Sequence, residues 1–388
     1  MPNSFTTSST QGFFSRLMSS FVGILLGPVL VVGAIVLLSW NEGRAVQAIR
    51  GLAEASGVVV EAPADTVAPA NDGKLVHVVG KAEAAGPIAD SDLSLNFPDQ
   101  VAVDRTVEMY LWREKKEEKT TDNTGGSQTT TTTYTYNQVW SEEPIDSTAF
   151  AHPEGHENPQ MPFTSHKYAA DDAKLGGFAL DGTTLAMIDT DNALKPDAPD
   201  GWTQNGANLY KGANAATPAV GDMRVHYTSL PSGTTISVLA GQSHDGFVPY
   251  TTSNGYTIHL ARAGNAAAKD MITAQQQAEA MMTWILRFVG AFVMFIGFTM
   301  FFGPIATLAA ILPFLGSLVR GATTFFAFVL TIPVTLITIA IAWLAFRPLI
   351  GGGLLIVAAG IGYALWRWHH TRSAPHVAAA AASAPPAH

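Results

Sequence analysis

The sequence predicts an α+β membrane protein: a mainly antiparallel β domain outside the cytoplasm, inserted between one N-terminal and three C-terminal transmembrane helices. Residues 21–40 carry no charge, and residues 288–366 are interrupted only by Arg320 and Arg347. About 20 apolar residues suffice to cross a hydrocarbon core as a helix. All 31 acidic residues lie between Glu42 and Glu279, so an acidic domain sits between the two apolar blocks. Within that domain apolar residues recur with period two, the spacing of half-buried strands.

Residues 1–20 are rich in Ser and Thr with one charge, Arg16, and read as a cytoplasmic tail with nothing to bury. The apolar run 21–40 is longer than the core of about 7–15 residues in a cleaved signal peptide. Asn41-Glu42-Gly43-Arg44 is also a poor cleavage site, so 21–40 is expected to be an uncleaved signal anchor and 41–44 a membrane-exit motif. The β domain spans 41–282. Residues 74–80 form a short β-branched run, and 105–113 alternate Val107, Met109 and Leu111 with Glu108, Tyr110 and Trp112. Residues 129–140 alternate likewise, and the charged, Gly-bearing segment between them predicts a long hairpin with a solvated tip. A short helix is expected over 169–178, then strands over 222–227, 235–240 and 256–261. No fixed period relates the strand groups 74–140 and 205–262, so the idea of a duplication has little support.

Residues 266–282 lack Pro and Gly and predict a helix running into the second span. The membrane block 283–366 divides at its Gly and Pro residues into spans at 283–302, 322–346 and 349–366. An interfacial or re-entrant segment is expected at 305–319. The Ala/Pro-rich stretch 367–388 reads as a second cytoplasmic tail. Four spans place both termini on one side, where Arg16, Arg320, Arg367 and Arg372 gather. The positive-inside rule makes that side cytoplasmic.

Composition excludes several chemistries. The chain has no Cys, which removes disulfides, thiolate metal sites and cysteine nucleophiles. Residues 41–286 hold 16 Lys and Arg against all 31 acids, a balance that argues against nucleic acid as a partner. The spans hold no Asp, Glu, Lys or His, which tells against an ion-coupled transporter and disfavours a channel. His152, His156 and Glu157 are the densest group of possible metal ligands, but Pro153 and Gly155 between the two His deny them a shared helix face. A turn-forming loop is the expected reading, with no metal and no cofactor. Trp112, Tyr134, Tyr136 and Trp140 read as sheet packing ahead of a binding stripe. Gly23 and Gly27 stand at the spacing that lets helices approach closely, within one chain or between copies.

Several segments together resemble the LUMA (transmembrane protein 43) family. Ser39-Trp-Asn-Glu-Gly-Arg-Ala45 follows the first span. Val107-Glu-Met-Tyr-Leu-Trp112 precedes Tyr134-Thr-Tyr-Asn137 and Trp140. Gly155-His-Glu-Asn-Pro159, Pro218-Ala-Val-Gly-Asp-Met-Arg-Val225, Phe247-Val-Pro-Tyr250 and Phe346-Arg-Pro-Leu349 follow in the family's order. The resemblance, from about residue 13 to residue 349, implies four spans, a large lumenal domain and both tails on the other side. In animals it implies the endoplasmic reticulum and inner nuclear membrane, self-association and the organisation of envelope proteins. It supplies no catalytic residues. The Ala-rich composition points to a bacterial member with a periplasmic domain in the inner membrane. The expected function is a non-enzymatic, self-associating envelope scaffold. Its expected partners are membrane lipids, other copies of itself and other envelope membrane proteins. A membrane-surface enzyme using His152 and His156 on lipid or peptide is the alternative.

Overall fold

The computed structural model describes residues 3–348 together with Gly360, Tyr363 and Arg367. The expected last span, 349–366, and the tail from 367 otherwise lie outside the described residues. Among the described residues three helices are long and apolar enough to cross a membrane: α1 (Phe13–Val58), α2 (Ala268–Ala309) and α3 (Pro313–Phe346). At 1.5 Å per residue α1 is about 69 Å long, twice the hydrocarbon thickness. Its second half, like the first turns of α2, therefore belongs to the β domain.

Among the described residues that domain packs two large sheets over a shared core, beside two small two-stranded sheets. The longer strands are β1 (Ser4–Gln11), β2 (Leu75–Glu83), β3 (Gln100–Asp122), β4 (Gln128–Ser141), β5 (Met223–Pro231) and β6 (Thr234–Ser243). The first sheet runs β1-β4-β3-β5 and continues through short strands at Asn208–Lys211 and Thr203–Asn205. The second is built on the antiparallel pair β2–β6, with Val60–Pro63 added in parallel to β2. Val76, Val78, Ile236 and Val238 face Val103, Val107 and Val225 across the shared core, all fully buried. The opposite face of β2–β6 presents Leu75 and Leu239 to Leu52 and Ala55 of α1 and to Met271 and Ile272 of α2. Both faces of this sheet are therefore covered, and 75–78 form an unbroken buried run.

The structure corrects four local expectations. Residues 4–11 are not a free tail. They form β1, antiparallel to β4, because Thr6, Ser8 and Thr10 meet Thr133, Thr131 and Thr129 hydroxyl to hydroxyl at 3.1–3.4 Å. Residues 169–178 contain short strands instead of a helix, and the only helical turn nearby is Gly182–Ala186, capped by Asp181. Residues 305–319 are not a separate segment: α2 continues through Pro304 to Ala309, and Pro313 opens α3. The hairpin tip is tied to helix ends instead of standing free in solvent. Asp122 lies between Arg16 at 3.1 Å and Arg320 at 2.8 Å.

Helix α2 tolerates Pro304 for a reason visible on α1. Proline cannot donate to the carbonyl four residues back, here Met300. A Cβ on Gly23 would lie 2.5 Å from that Met300 oxygen, so the first span comes closest where the helix ladder is broken. One turn on, Gly27 and Gly297 are mutually apposed: a Cβ on either would sit within 2.8 Å of the other's carbonyl oxygen. The small-residue face of the first span is thus filled by α2 of the same chain.

Candidate functional site

The densest polar cluster beside the apolar helices is built by Asn41, Glu42, Gly43 and Arg44. Successive helical residues are rotated by about 100°, so four in a row address several neighbours. Asn41, fully buried, donates from Nδ2 to the Thr283 carbonyl of α2 at 3.0 Å. Arg44, one turn on, pairs with Glu279 and reaches Thr283 Oγ1 at 3.3 Å. Glu42, also fully buried, accepts from Arg287 Nε at 2.7 Å and Nη2 at 2.9 Å. Its Oε2 accepts a third bond, 2.8 Å, from Trp343 Nε1 of α3. Gly43 leaves room for Phe346, whose ring would stand 2.9 Å from an added Cβ. One tetrapeptide therefore ties α1 to both other helices where the apolar segments meet the β domain.

Further ties extend from this junction into the domain. Tyr256 donates to Glu279 Oε1 at 3.0 Å, and Gly51 accommodates the Tyr256 side chain, whose Cβ an added Cβ would meet at 2.5 Å and whose ring at 2.9 Å. Burial raises the Tyr256 hydroxyl's pKa, so it stays a donor at neutral pH. Gln47 and Asn254 exchange side-chain bonds to each other's carbonyls at 2.9 and 2.8 Å, and Glu54 accepts from Ser253. Arg50 donates to the Phe346 carbonyl at 3.1 Å. One cleft beside the junction, lined by Ala45, Leu52, Glu279, Trp284, Arg287 and Arg347, holds about 160 Å³, and another, lined by Gly43, Arg50, Asn254 and Phe346, about 450 Å³. Small-molecule sites typically need about 300 Å³ or more, a size that only the second of these reaches. The polar contacts themselves are those of a joint.

The His152–Pro159 loop does structural work of another kind. Asn158 takes the Trp112 amide on Oδ1 at 2.7 Å and returns Nδ2 to the Trp112 carbonyl at 2.9 Å, which closes the edge of β3 there. His156 is buried and stacked on Tyr136 at 4.1 Å, with Trp112 edge-on at 4.8 Å. Its Nδ1 faces the His152 carbonyl at 3.2 Å, which assigns the proton to Nδ1 and leaves Nε2 without a partner. His152 stacks on Phe5 of β1 at 4.2 Å. Burial, reinforced by the Glu114 carboxylate it donates to, pushes the Tyr136 hydroxyl up to about 12. Glu157 turns to the Gly155 amide at 3.0 Å, and among the described residues no three His, Asp or Glu side chains gather to hold a metal. Trp140 packs on Tyr110 and under Arg224.

A buried charge cluster also escaped sequence reading. Arg105, 2% exposed, donates to both Asp90 oxygens at 2.6 and 2.8 Å and to Asp92 at 2.8 Å. Tyr227 donates to Asp90 Oδ2 at 2.6 Å. Burial alone would raise the Asp90 carboxyl. The Tyr227 hydroxyl and the Arg105 guanidinium outweigh it and hold the group below its ordinary range. All these groups are engaged with one another, so the cluster pins strands together.

The three apolar helices, the inserted two-sheet domain and the polar joint between them define a multi-pass membrane protein. The profile of the family described as Transmembrane protein 43 matches residues 109–348. Transmembrane protein 43 of Homo sapiens is 32% identical over 358 residues, covering 88% of this chain and 89% of its own. The Mus musculus protein is 31% identical over 359 residues, 89% of each chain, and the Drosophila melanogaster homolog 29% over 353, covering 86% and 92%. No solved structure matches. The chain belongs to the transmembrane protein 43 family.

Proposed function

We propose that this protein is a non-enzymatic, self-associating membrane scaffold that holds a β domain rigidly against the periplasmic face of a bacterial inner membrane. The observation that carries the reading is the junction. Glu42, Arg287 and Trp343 are spent on one another. A catalytic site needs groups aimed at a space, whereas these are aimed at each other. A rigid joint suits a protein that presents a surface at fixed height and orientation to neighbouring envelope proteins. The enzyme alternative finds no support at His156, whose ring is walled in by Tyr136 and Trp112. Membrane lipids contact the exposed apolar faces of the helices, such as Phe288, Phe292 and Phe328. Mass photometry of the full chain in nanodiscs tests the reading. Particles of several chain masses are expected, and a purely single-chain population would refute self-association.

A further inference from the structure

Three strands lie at the depth of the apolar helices. Beyond Met109, where its pairing with β5 ends, β3 extends to Asp122, about 44 Å at 3.4 Å per residue. Between Arg16 and Asn41, α1 covers about 38 Å at 1.5 Å per residue. The far end of β3 meets the far ends of the helices. Asp122 pairs with Arg16 and Arg320, Arg16 Nη1 donates to the Gly126 carbonyl at 2.6 Å, and the Gly125 amide donates to Ile311 O at 3.2 Å. The ribbon β1-β4-β3 therefore runs the whole depth of the bundle. Among the described residues, its hydrogen bonds and ion pairs to the helices are confined to that end.

The far part of this ribbon does not suit lipid. Residues 6–11 are all Ser, Thr or Gln, 113–122 are all polar or charged, and 128–133 are Gln and Thr. Residues 115–121 and 6–11 are exposed, so among the described residues neither face of the ribbon is packed there. Both edges are open as well. Tyr110 turns its backbone to 221–222, and Asn158 covers Trp112. By alternation Glu114, Lys116, Glu118 and Thr120 direct theirs outward from β3. On β1, Asn3 accepts from the Tyr136 amide, so Ser4, Thr6, Ser8 and Thr10 direct theirs outward. Four residues on each edge carry backbone groups with no strand partner among the described residues. Irregular or open-edged backbone persists at membrane depth only inside protein or beside water.

We propose that the two edges pair between copies, β1 of one chain against β3 of the next, so that the ribbons form a continuous polar wall enclosing water within the bilayer. The proposal rests on the self-association reading and names its surface. A second copy is the occupant because it offers donors and acceptors at strand spacing, over a matching run of four outward residues. Acyl chains offer neither. The contact is head-to-tail, so it closes into a ring when the rotation between copies permits. The uncharged spans told against an aqueous path, but here the polar groups come from strands of the inserted domain.

The absence of Cys makes single-thiol variants clean probes. Ser8→Cys and Glu118→Cys chains, carrying different tags, are co-expressed, reconstituted in phosphatidylethanolamine–phosphatidylglycerol nanodiscs and treated with a short bis-maleimide. The mixed Ser8–Glu118 pair is expected in several-fold excess over either like pair. Adding Thr6→Pro removes an outward donor without touching the β1–β4 ladder and should abolish the mixed pair. An oligomer by mass photometry with no mixed pair overturns edge pairing and leaves self-association standing. Single chains throughout overturn both. A Thr132→Cys chain shielded from a membrane-impermeant maleimide would mean the ribbon faces lipid, which also overturns the proposal.

Discussion

Glu42→Ala should unlock the membrane junction. The carboxylate is fully buried, and the Arg287 side chain facing it is 17% exposed. Removing one partner of a buried pair costs ~3–5 kcal/mol, because the other charge is left without compensation. The partial exposure of Arg287 places the effect near the lower end, ~3 kcal/mol. At ~1.4 kcal/mol per factor of ten, that is about a hundredfold loss of protection. Hydrogen exchange of α1 amides after Asn41, measured on the full chain in nanodiscs, reads it directly. The control is Glu42→Leu with Arg287→Met, which replaces the pair by apolar groups and should recover most of the loss. Unchanged protection in Glu42→Ala, or a double variant no better than the single, would show that this pair does not hold the joint.

The remaining expectations address packing, pH and sidedness. Gly27→Leu should destabilise the folded chain itself by several kcal/mol, because even a Cβ there meets the Gly297 oxygen at 2.6 Å; thermal unfolding unchanged from the native chain would contradict this. Asp90 has a depressed carboxyl, so its contribution to stability is present above its unfolded pKa of ~3.9 and is lost as pH falls through the lower folded value. Asp90→Asn should lower stability at neutral pH and flatten that acid limb in circular dichroism, and an acid limb as steep as the native one would exclude Asp90 as its source. Thr124→Cys at the hairpin tip and Ser253→Cys on the domain should label from opposite faces of a sealed vesicle, since the tip lies beside Ile311; labelling from one face would remove the ribbon from bilayer depth.

Most of the architecture was legible in the sequence because it follows from two strong signals, long uncharged runs and period-two alternation. The hairpin, the β domain and the first three spans follow from them. What escaped depended on partners distant in sequence. Ser4–Gln11 looked like a tail because a lone Ser/Thr run buries nothing, and only the Thr-rich β4 gives it a ladder to join. Residues 305–319 looked interfacial because Gly303-Pro304 ends one apolar run and Pro313, Gly316 and Arg320 interrupt the next, whereas the helix continues through Pro304, with Gly23 packed against the carbonyl that it leaves free. Asn41-Glu42-Gly43-Arg44 was legible as a place but not as a mechanism. Its partners Glu279, Thr283, Arg287 and Trp343 lie more than 200 residues away. One signal did exist. Glu42 and Arg287 are opposite charges at the domain-side ends of the first two spans, and charges so placed seldom stay unpaired.

The β domain consequently holds the helices at both of their ends. At the near end Glu42 draws Arg287 and Trp343 together, so α2 and α3 share one carboxylate of α1. At the far end Asp122, carried there on strand β3, draws together Arg16 of α1 and Arg320 of α3. A carboxylate between two guanidinium groups is satisfied only while both helices keep their separation and register. With acidic ties at the two ends of the bundle and glycine contacts between them, sliding α1 by a turn would break an ion pair at each end and drive Gly27 off Gly297. The joint and the ribbon therefore resist the same motion, and a domain mounted this way stays at one height above the bilayer.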